Sequence, residues 1–498
     1  MKKFVYSVQL TIFTIISFIT MNITAQHNYN KVNLNNIDIN SMINTVSYLA
    51  SPELEGRMAA SPGYFLAAKF CSARFNQYGL KPINEDSYFQ SFFVEYNEIK
   101  EPILLKLIDN DKTKEYKLGR DFIFRGFTGG GNVTGEVVFC GYGISQPEIG
   151  YDDYEGIDVK DKIVMVFKYH PRWNNEKGKF INGNPREKAA IAFKHGAKAI
   201  FFISFPNDNE PQKPIGSVIS GSGEQNTNFP EVHIDLAVAN NFFYGSKKSL
   251  KELQNIIDST KKPSSVNLNK KANILVNTAY SKEKETVNII GYIPGSDYKL
   301  KDEYVILGAH LDHVGKQGDT LYFPGANDNA SGSAALLEVA KAFSLSELKP
   351  KRTLVFILFS SEESGLQGAE YYLNNPIFPL ENTVAMLNMD CIGYGDSIQL
   401  GNGKSSPLLW ELAKNISKNN DLPTVSQTWS GGGADATPFH QKGIPALYFV
   451  TTNSYDHLHY MTDKPETLNK ALYHKIAKLV YLTMVELGNG NYSREPIK

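Results

Sequence analysis

Residues 304–313 read Tyr-Val-Ile-Leu-Gly-Ala-His-Leu-Asp-His, and residues 354–363 read Leu-Val-Phe-Ile-Leu-Phe-Ser-Ser-Glu-Glu. Each is an unbroken apolar run, too short for a helix, that stops abruptly in side chains able to bind protons or metal ions. Runs of this kind are strands buried on both faces, as in a parallel sheet. A third, Val384–Met389, stops at Asp390. Working outward, helical spacing over Ser331–Phe343 and around Leu366–Leu373 separates the three runs, and a strand-like stretch, Asn288–Ile293, precedes them. Strands alternating with helices predict an α/β fold, a mainly parallel mixed sheet flanked by helices.

In an open α/β sheet, sites form outside the carboxyl ends of the strands, so His310, Asp312, Glu362, Glu363 and Asp390 are expected to converge. Two further stretches bring chemistry to the same place. Gly325-Ala326-Asn327-Asp328-Asn329-Ala330-Ser331-Gly332 is a tight turn that opens a helix and aims Asp328 at the pocket. Asp456-His457-Leu458-His459-Tyr460-Met461-Thr462-Asp463 follows the apolar run Ala446–Val450 and adds two imidazoles. Imidazole and carboxylate donors without clustered thiolates suit zinc in a catalytic role, with positions left open for water and substrate. Five candidate ligands, one of them bridging, are too many for one tetrahedral ion and suit two ions ~3.5–4 Å apart.

These stretches, in this order, resemble the two-zinc aminopeptidases related to the secreted leucine aminopeptidases of Vibrio, Aeromonas and Streptomyces, over roughly Leu49 to Leu487. The resemblance implies a phosphorylase/hydrolase-like catalytic domain carrying a β-rich, protease-associated insertion, and removal of the N-terminal residue of peptides. It makes Asp328 the bridge between two Zn2+ ions, His310 and Asp390 the further ligands of one, and Glu363 and His459 those of the other. Glu362 becomes the general base and Asp312 the carboxylate that orients His310. His459 stands four residues before Asp463, as the pattern requires, whereas His457 stands four before Met461; His457 is left as a supporting or substrate-facing group. His313 and His440 lie off the motif positions and are expected to be structural or rim residues. The sequence departs from the pattern at Ala434-Asp435-Ala436-Thr437-Pro438-Phe439, which keeps an Asp but lacks the His of a Ser-Asp-His run, and Leu458 precedes His459 where a Tyr could stand. The group that stabilises the oxyanion is therefore open among Tyr455, His457 and Tyr460.

Three rivals share the architecture. A carboxypeptidase or dipeptidase on the same core would place an arginine cluster in the pocket to hold a terminal carboxylate. A glutaminyl cyclase would use a single zinc. A metal-free binding protein like the transferrin receptor would have lost its ligands.

The rest of the chain sets the frame. Its 498 residues are 42% hydrophobic, enough for two cores. The formal net charge of −1 provides no field that favours nucleic acid. Residues 1–25 read as a secretory leader: Lys2 and Lys3, an apolar run from Leu10 to Met21, then Thr24-Ala25 before Gln26. Secretion or periplasmic export follows, with no membrane span once the leader is removed. The three cysteines, Cys71, Cys140 and Cys391, allow at most one disulfide and read as buried apolar side chains. Residues 26–120 and 266–492 are expected to form the catalytic domain. Residues 121–265 are expected to form the insertion, with β-rich runs at Glu136–Phe139, Lys162–Phe167, Ala199–Ile203 and Glu231–Ile234 and a helix over Arg186–His195.

Overall fold

Tyr304–His310 runs parallel to Thr353–Phe359 on one side and to Thr383–Met389 on the other, and Ala446–Thr451 continues the parallel set beyond Thr383–Met389. Ile398–Gly401 closes one edge antiparallel, and Ile289–Ile293 pairs antiparallel with the opposite side. The three apolar runs thus lie at the centre, which is why they carry no polar alternation. Side chains alternate between two layers. Val305, Leu307 and Ala309 face a core shared with the helices Ile39–Leu49, Pro62–Gln77, Gly332–Ser344 and Lys470–Gly488, while Ile306 faces one shared with Gln367–Asn374 and Ala436–Gln441. Removing such a side chain, as in Leu307→Ala, typically costs about 2–5 kcal/mol. The chain thus has the expected α/β architecture.

The computed structural model describes residues 32–174, 180 and 183–497, so the expected leader at residues 1–25 and the expected mature start at Gln26 lie outside the described residues. No helix among the described residues is long and apolar enough to cross a membrane. All three cysteines are free and buried.

A second parallel set occupies the middle of the chain. Gly131–Phe139, Ile163–Phe167, Ala199–Ile203 and Glu231–Ile234 pair in parallel, with Phe122–Phe124 antiparallel at the edge. The helix Pro185–Lys194 covers one face and the helices Leu236–Phe243 and Leu250–Thr260 the other. This middle region shares one sheet with the parallel set that contains Tyr304–His310. The joint is Val266–Ile293, a 28-residue strand that begins just after the polar stretch Lys261–Ser265. It pairs with Gly131–Phe139 at its start and with Thr353–Phe359 at its end. Phe89–Asp109, 21 residues long, runs antiparallel along it, with register shifts between Leu275 and Asn277 and between Ser281 and Lys284.

One local signal lies elsewhere than a first reading suggests. Ser51-Pro52-Glu53 has the form of a helix start in the sequence but opens only the single turn Pro52–Leu54, which ends at Glu55 in the left-handed region. The long helix starts at Pro62, where the Ser61 hydroxyl accepts a hydrogen bond from the Tyr64 N–H at 3.1 Å.

Candidate metal centre

Five segments meet beyond the carboxyl ends of the parallel strands, and each is tied to its neighbours through its backbone. The main-chain N–H of Leu311, just after His310, donates to the Phe359 carbonyl, and Ser333 Oγ donates to the His310 carbonyl at 2.7 Å. In the turn that carries Asp328, the two flanking asparagines act as clamps. Asn327 Oδ1 accepts from the N–H groups of Gly393 (2.8 Å) and Tyr394 (2.9 Å), while its Nδ2 donates to the Ser454 carbonyl. Asn329 Nδ2 donates to the Met389 carbonyl, and its Oδ1 caps the Gly332 N–H. The asparagines therefore bind the Asp328 turn to the segments that carry Asp390 and His459. On the Glu362 side, Asn288 Oδ1 accepts from the Ser360 N–H, and Gly368 lies so close that a Cβ there would sit 2.2 Å from the Ser360 carbonyl oxygen.

The side chains then converge. Asp328 lies between two imidazoles: its Oδ1 is 3.2 Å from His310 Nε2 and its Oδ2 is 3.2 Å from His459 Nε2. Asp390 Oδ1 is 3.3 Å from His310 Nε2, and Glu363 Oε2 is 2.9 Å from His459 Nε2. Glu362 reaches the same space, with Oε2 4.0 Å from His310 Nε2. Two half-sites result, one of His310, Asp390 and Asp328 and one of His459, Glu363 and Asp328, with Asp328 common to both. Among the described residues, the ion pairs of Asp328, Glu362, Glu363 and Asp390 are with imidazoles alone, with no lysine or arginine among them. Four acids gathered with imidazoles alone for partners, and no lysine or arginine, call for metal ions. The spacing fits as well: donors about 2.0–2.1 Å from a tetrahedral ion stand about 3.3 Å from each other.

Residues 288–484 match the model of peptidase family M28. The match makes this stretch similar to that family over less than half of the chain. Over 167 residues the chain is 35% identical to leupeptin-inactivating enzyme 1 of Streptomyces exfoliatus, a match that covers 32% of this chain and 34% of that one. Over 170 residues it is 30% identical to aminopeptidase YwaD of Bacillus subtilis, covering 33% and 35%. The chain thus spans about a third of the length of these curated relatives. The fold is shared more widely: a peptidase M28 precursor from Shewanella amazonensis superposes with a TM-score of 0.66 at 18% identity, over 95% of this chain and 98% of that one.

Within the M28 stretch, the remaining expected residues take definite places. Asp312 is buried, and its carboxylate accepts the N–H groups of Glu362 (3.2 Å) and Glu363 (3.4 Å). The Nδ1 of His310 donates to the main-chain carbonyl of Asp312 at 3.1 Å, while the carboxylate stands 3.8 Å away. Asp312 therefore fixes the Glu362-Glu363 pair as much as it does His310. Burial raises its pKa to about 6. Burial also works to raise Glu363, but the adjoining His459 and His313 bring it down to about 2. Glu362 is held well above the usual carboxylate range, chiefly by burial and then by the neighbouring charges of Asp390, Asp435 and Glu363 against the pull of His310. Asp435 is fully buried with no hydrogen-bond partner on either oxygen among the described residues, and burial raises it to about 8. His457 turns away, with Nδ1 on Thr462 Oγ1 and its ring edge-on to Tyr394. Tyr455 is half exposed and reaches the site through Tyr448, whose hydroxyl donates to Asp390 Oδ2 at 3.2 Å.

Three residues matter more here than sequence reading proposed. Asp463, used there only to place His459, accepts the N–H groups of Asn327 (2.8 Å) and Asp328 (3.0 Å) and so holds the central turn. Arg57, fully buried, donates to the carbonyls of Leu311, Pro324 and Gly325 at 2.9 Å each and to that of Leu49. It spends its donors on main chain and joins the N-terminal helices to the His310 and Asp328 segments. The third is His313, whose Nδ1 lies 2.8 Å from Glu363 Oε1. Its spacing from His310 in the run His-x-Asp-His was the available signal.

Proposed function

We propose that the chain is a two-zinc exopeptidase that removes the N-terminal residue of peptides. The reading rests on one observation above all: the two oxygens of Asp328 each stand 3.2 Å from a different imidazole, with Asp390 completing one side and Glu363 the other. His310, Asp390 and Asp328 would hold one ion, and His459, Glu363 and Asp328 the second. Bound there, the ions would acidify water and polarise the scissile carbonyl. Glu362 is the acid of the cluster left without a ligand role, and it reaches the same space. It accepts a proton from the attacking water and returns it to the leaving amine. Asp463, Asp312 and Arg57 keep these groups in register.

The excess of negative charge in the pocket favours a protonated α-amine over a terminal carboxylate. Arg57 is committed to carbonyls, and Arg352 lies at the opposite end of its strand, bound to Glu303 and the Leu487 carbonyl. Neither is available to a carboxylate, which weighs against the carboxypeptidase reading. The deciding experiment is hydrolysis of aminoacyl anilides beside N-acetylated and C-terminally amidated peptides. Cleavage confined to free-amine substrates, abolished by a chelator and restored by zinc, is expected; cleavage of N-acetylated peptides that require a free carboxylate would overturn the reading. Export to the periplasm or medium is part of the proposal, carried by residues 1–25, and is checked by sequencing the N-terminus of the exported protein for a start at Gln26.

A further inference from the structure

His313 combines complete burial with a polar contact to the metal centre. Its side chain has no exposed surface, and its Nδ1 lies 2.8 Å from Glu363 Oε1 and 3.7 Å from Asp328 Oδ2. Its ring stands edge-on to that of His459, with centroids 5.5 Å apart. An ionised carboxylate only accepts, so the proton on this pair sits on Nδ1. The ring has little freedom to leave. The main-chain N–H of His313 donates to the Arg57 carbonyl at 3.1 Å. On the other flank stands Gly325, with φ +60°, where a Cβ would sit 2.5 Å from His313 Cδ2. Glycine there lets the Asp328 turn press directly on the imidazole.

The two oxygens of Glu363 are thereby divided. Oε1 holds the imidazole N–H, and Oε2 faces His459 Nε2 and the half-site that contains Asp328 Oδ2. We propose that His313 is a positioning residue of the second half-site, which makes Glu363 a ligand through Oε2 alone. This rests on the two-ion reading above. A carboxylate with both oxygens free can close around an ion and fill two positions. One that is held by an N–H fills a single position and leaves room for water or substrate.

The test is a metal titration that needs no turnover. Protein stripped with a chelator is titrated with Zn2+ against a competing chelating dye, and metal per chain is counted by mass spectrometry. Wild type is expected to take up two equivalents; one or none would end the two-ion reading, and this proposal with it. In H313L the first equivalent should bind as in wild type and the second about 10–100-fold more weakly. H313N, whose amide N–H can take the place of Nδ1–H, should recover most of the loss. Should H313L fail to fold by circular dichroism, H313Q replaces it, its amide lying where the far ring nitrogen was. Two outcomes overturn the proposal. One is binding of both equivalents as in wild type by the leucine or glutamine variant. The other is equal loss of the second ion in H313N together with a changed visible spectrum of the Co2+ form, which would make His313 a ligand.

Discussion

In the middle region Asp153 is fully buried, and its carboxylate accepts from the N–H groups of Tyr142 and Ile144 and from the Tyr151 hydroxyl. In the stretch that matches the M28 model Asp328 is nearly as buried, yet its oxygens face imidazoles, and Glu363 and Asp390 crowd round them. Both regions displace pKa values strongly. Burial raises Asp153 to about 7 and lowers Lys188 to about 7, as it raises Asp312 and Asp463 to about 6. The difference lies in how each buried charge is answered. Lys188 donates to the carbonyls of Phe167 and Tyr169, and Asp153 is met by donors of its own loop, so each is satisfied singly and nothing is left for a ligand. Around Asp328 the acceptors outnumber the donors. A perturbed pKa therefore marks burial in both halves, and only the convergence of unanswered acceptors marks a site.

Exchanging side chains between these two situations should give different failures. The largest effect is expected in the Glu362-Glu363 pair. Glu362→Gln should lower kcat about 100-fold or more while both ions remain, because an amide cannot take the proton. Glu363→Gln should instead lose zinc at one position, as metal analysis of the purified variants would reveal. The reverse pattern would mean that the roles are exchanged. Next in size is Asp153→Ala, which leaves two buried N–H groups and a hydroxyl unanswered. Denaturant unfolding should register a loss of about 3 kcal/mol, with kcat on a small anilide unchanged. A large fall in kcat without loss of stability would break the division drawn between the two halves.

The smallest effect is expected in Glu95, on Phe89–Asp109, which forms a two-pronged ion pair with Arg186 of the middle region (2.9 and 3.0 Å) and accepts from the Tyr280 hydroxyl. These contacts, the Arg186 hydrogen bonds foremost, lower its pKa from 4.5. A depressed carboxylate contributes stability above its unfolded pKa and loses it as pH falls through the folded one. The Tm difference between wild type and Glu95→Gln should be present at pH 7 and shrink as pH drops below about 4.5. A difference independent of pH would assign the effect to packing.

Strand ends were the legible part of the sequence. An apolar run that stops at His310, Glu362 or Asp390 can be read because the side chains on both faces of the strand are buried and the change in polarity is sharp. The long ribbon was not legible in the same way. Between Asn277 and Glu285 Val266–Ile293 carries polar and part-exposed residues on both faces, so the alternation of Ala272, Ile274 and Val276 breaks off and no apolar run resumes until Val287. His313 escaped because position relative to a motif says nothing about the direction of a side chain after a strand ends; Gly325 and Arg57, distant in sequence, decide that. Asp463 escaped for a related reason, since its partners are main-chain N–H groups, which every sequence has.

The paired strands Phe89–Asp109 and Val266–Ile293 also constrain the order of assembly. During synthesis the first emerges more than 150 residues before the second, so it can join only its short hairpin partner, Lys112–Tyr116, while the middle region is being made. Over that interval it presents a long row of unpaired backbone groups, the kind of edge that recruits other chains. Productive folding therefore depends on the middle region closing quickly enough to deliver Val266–Ile293 to its waiting partner, and substitutions that slow that region would surface first as aggregation of nascent chains rather than as loss of catalysis.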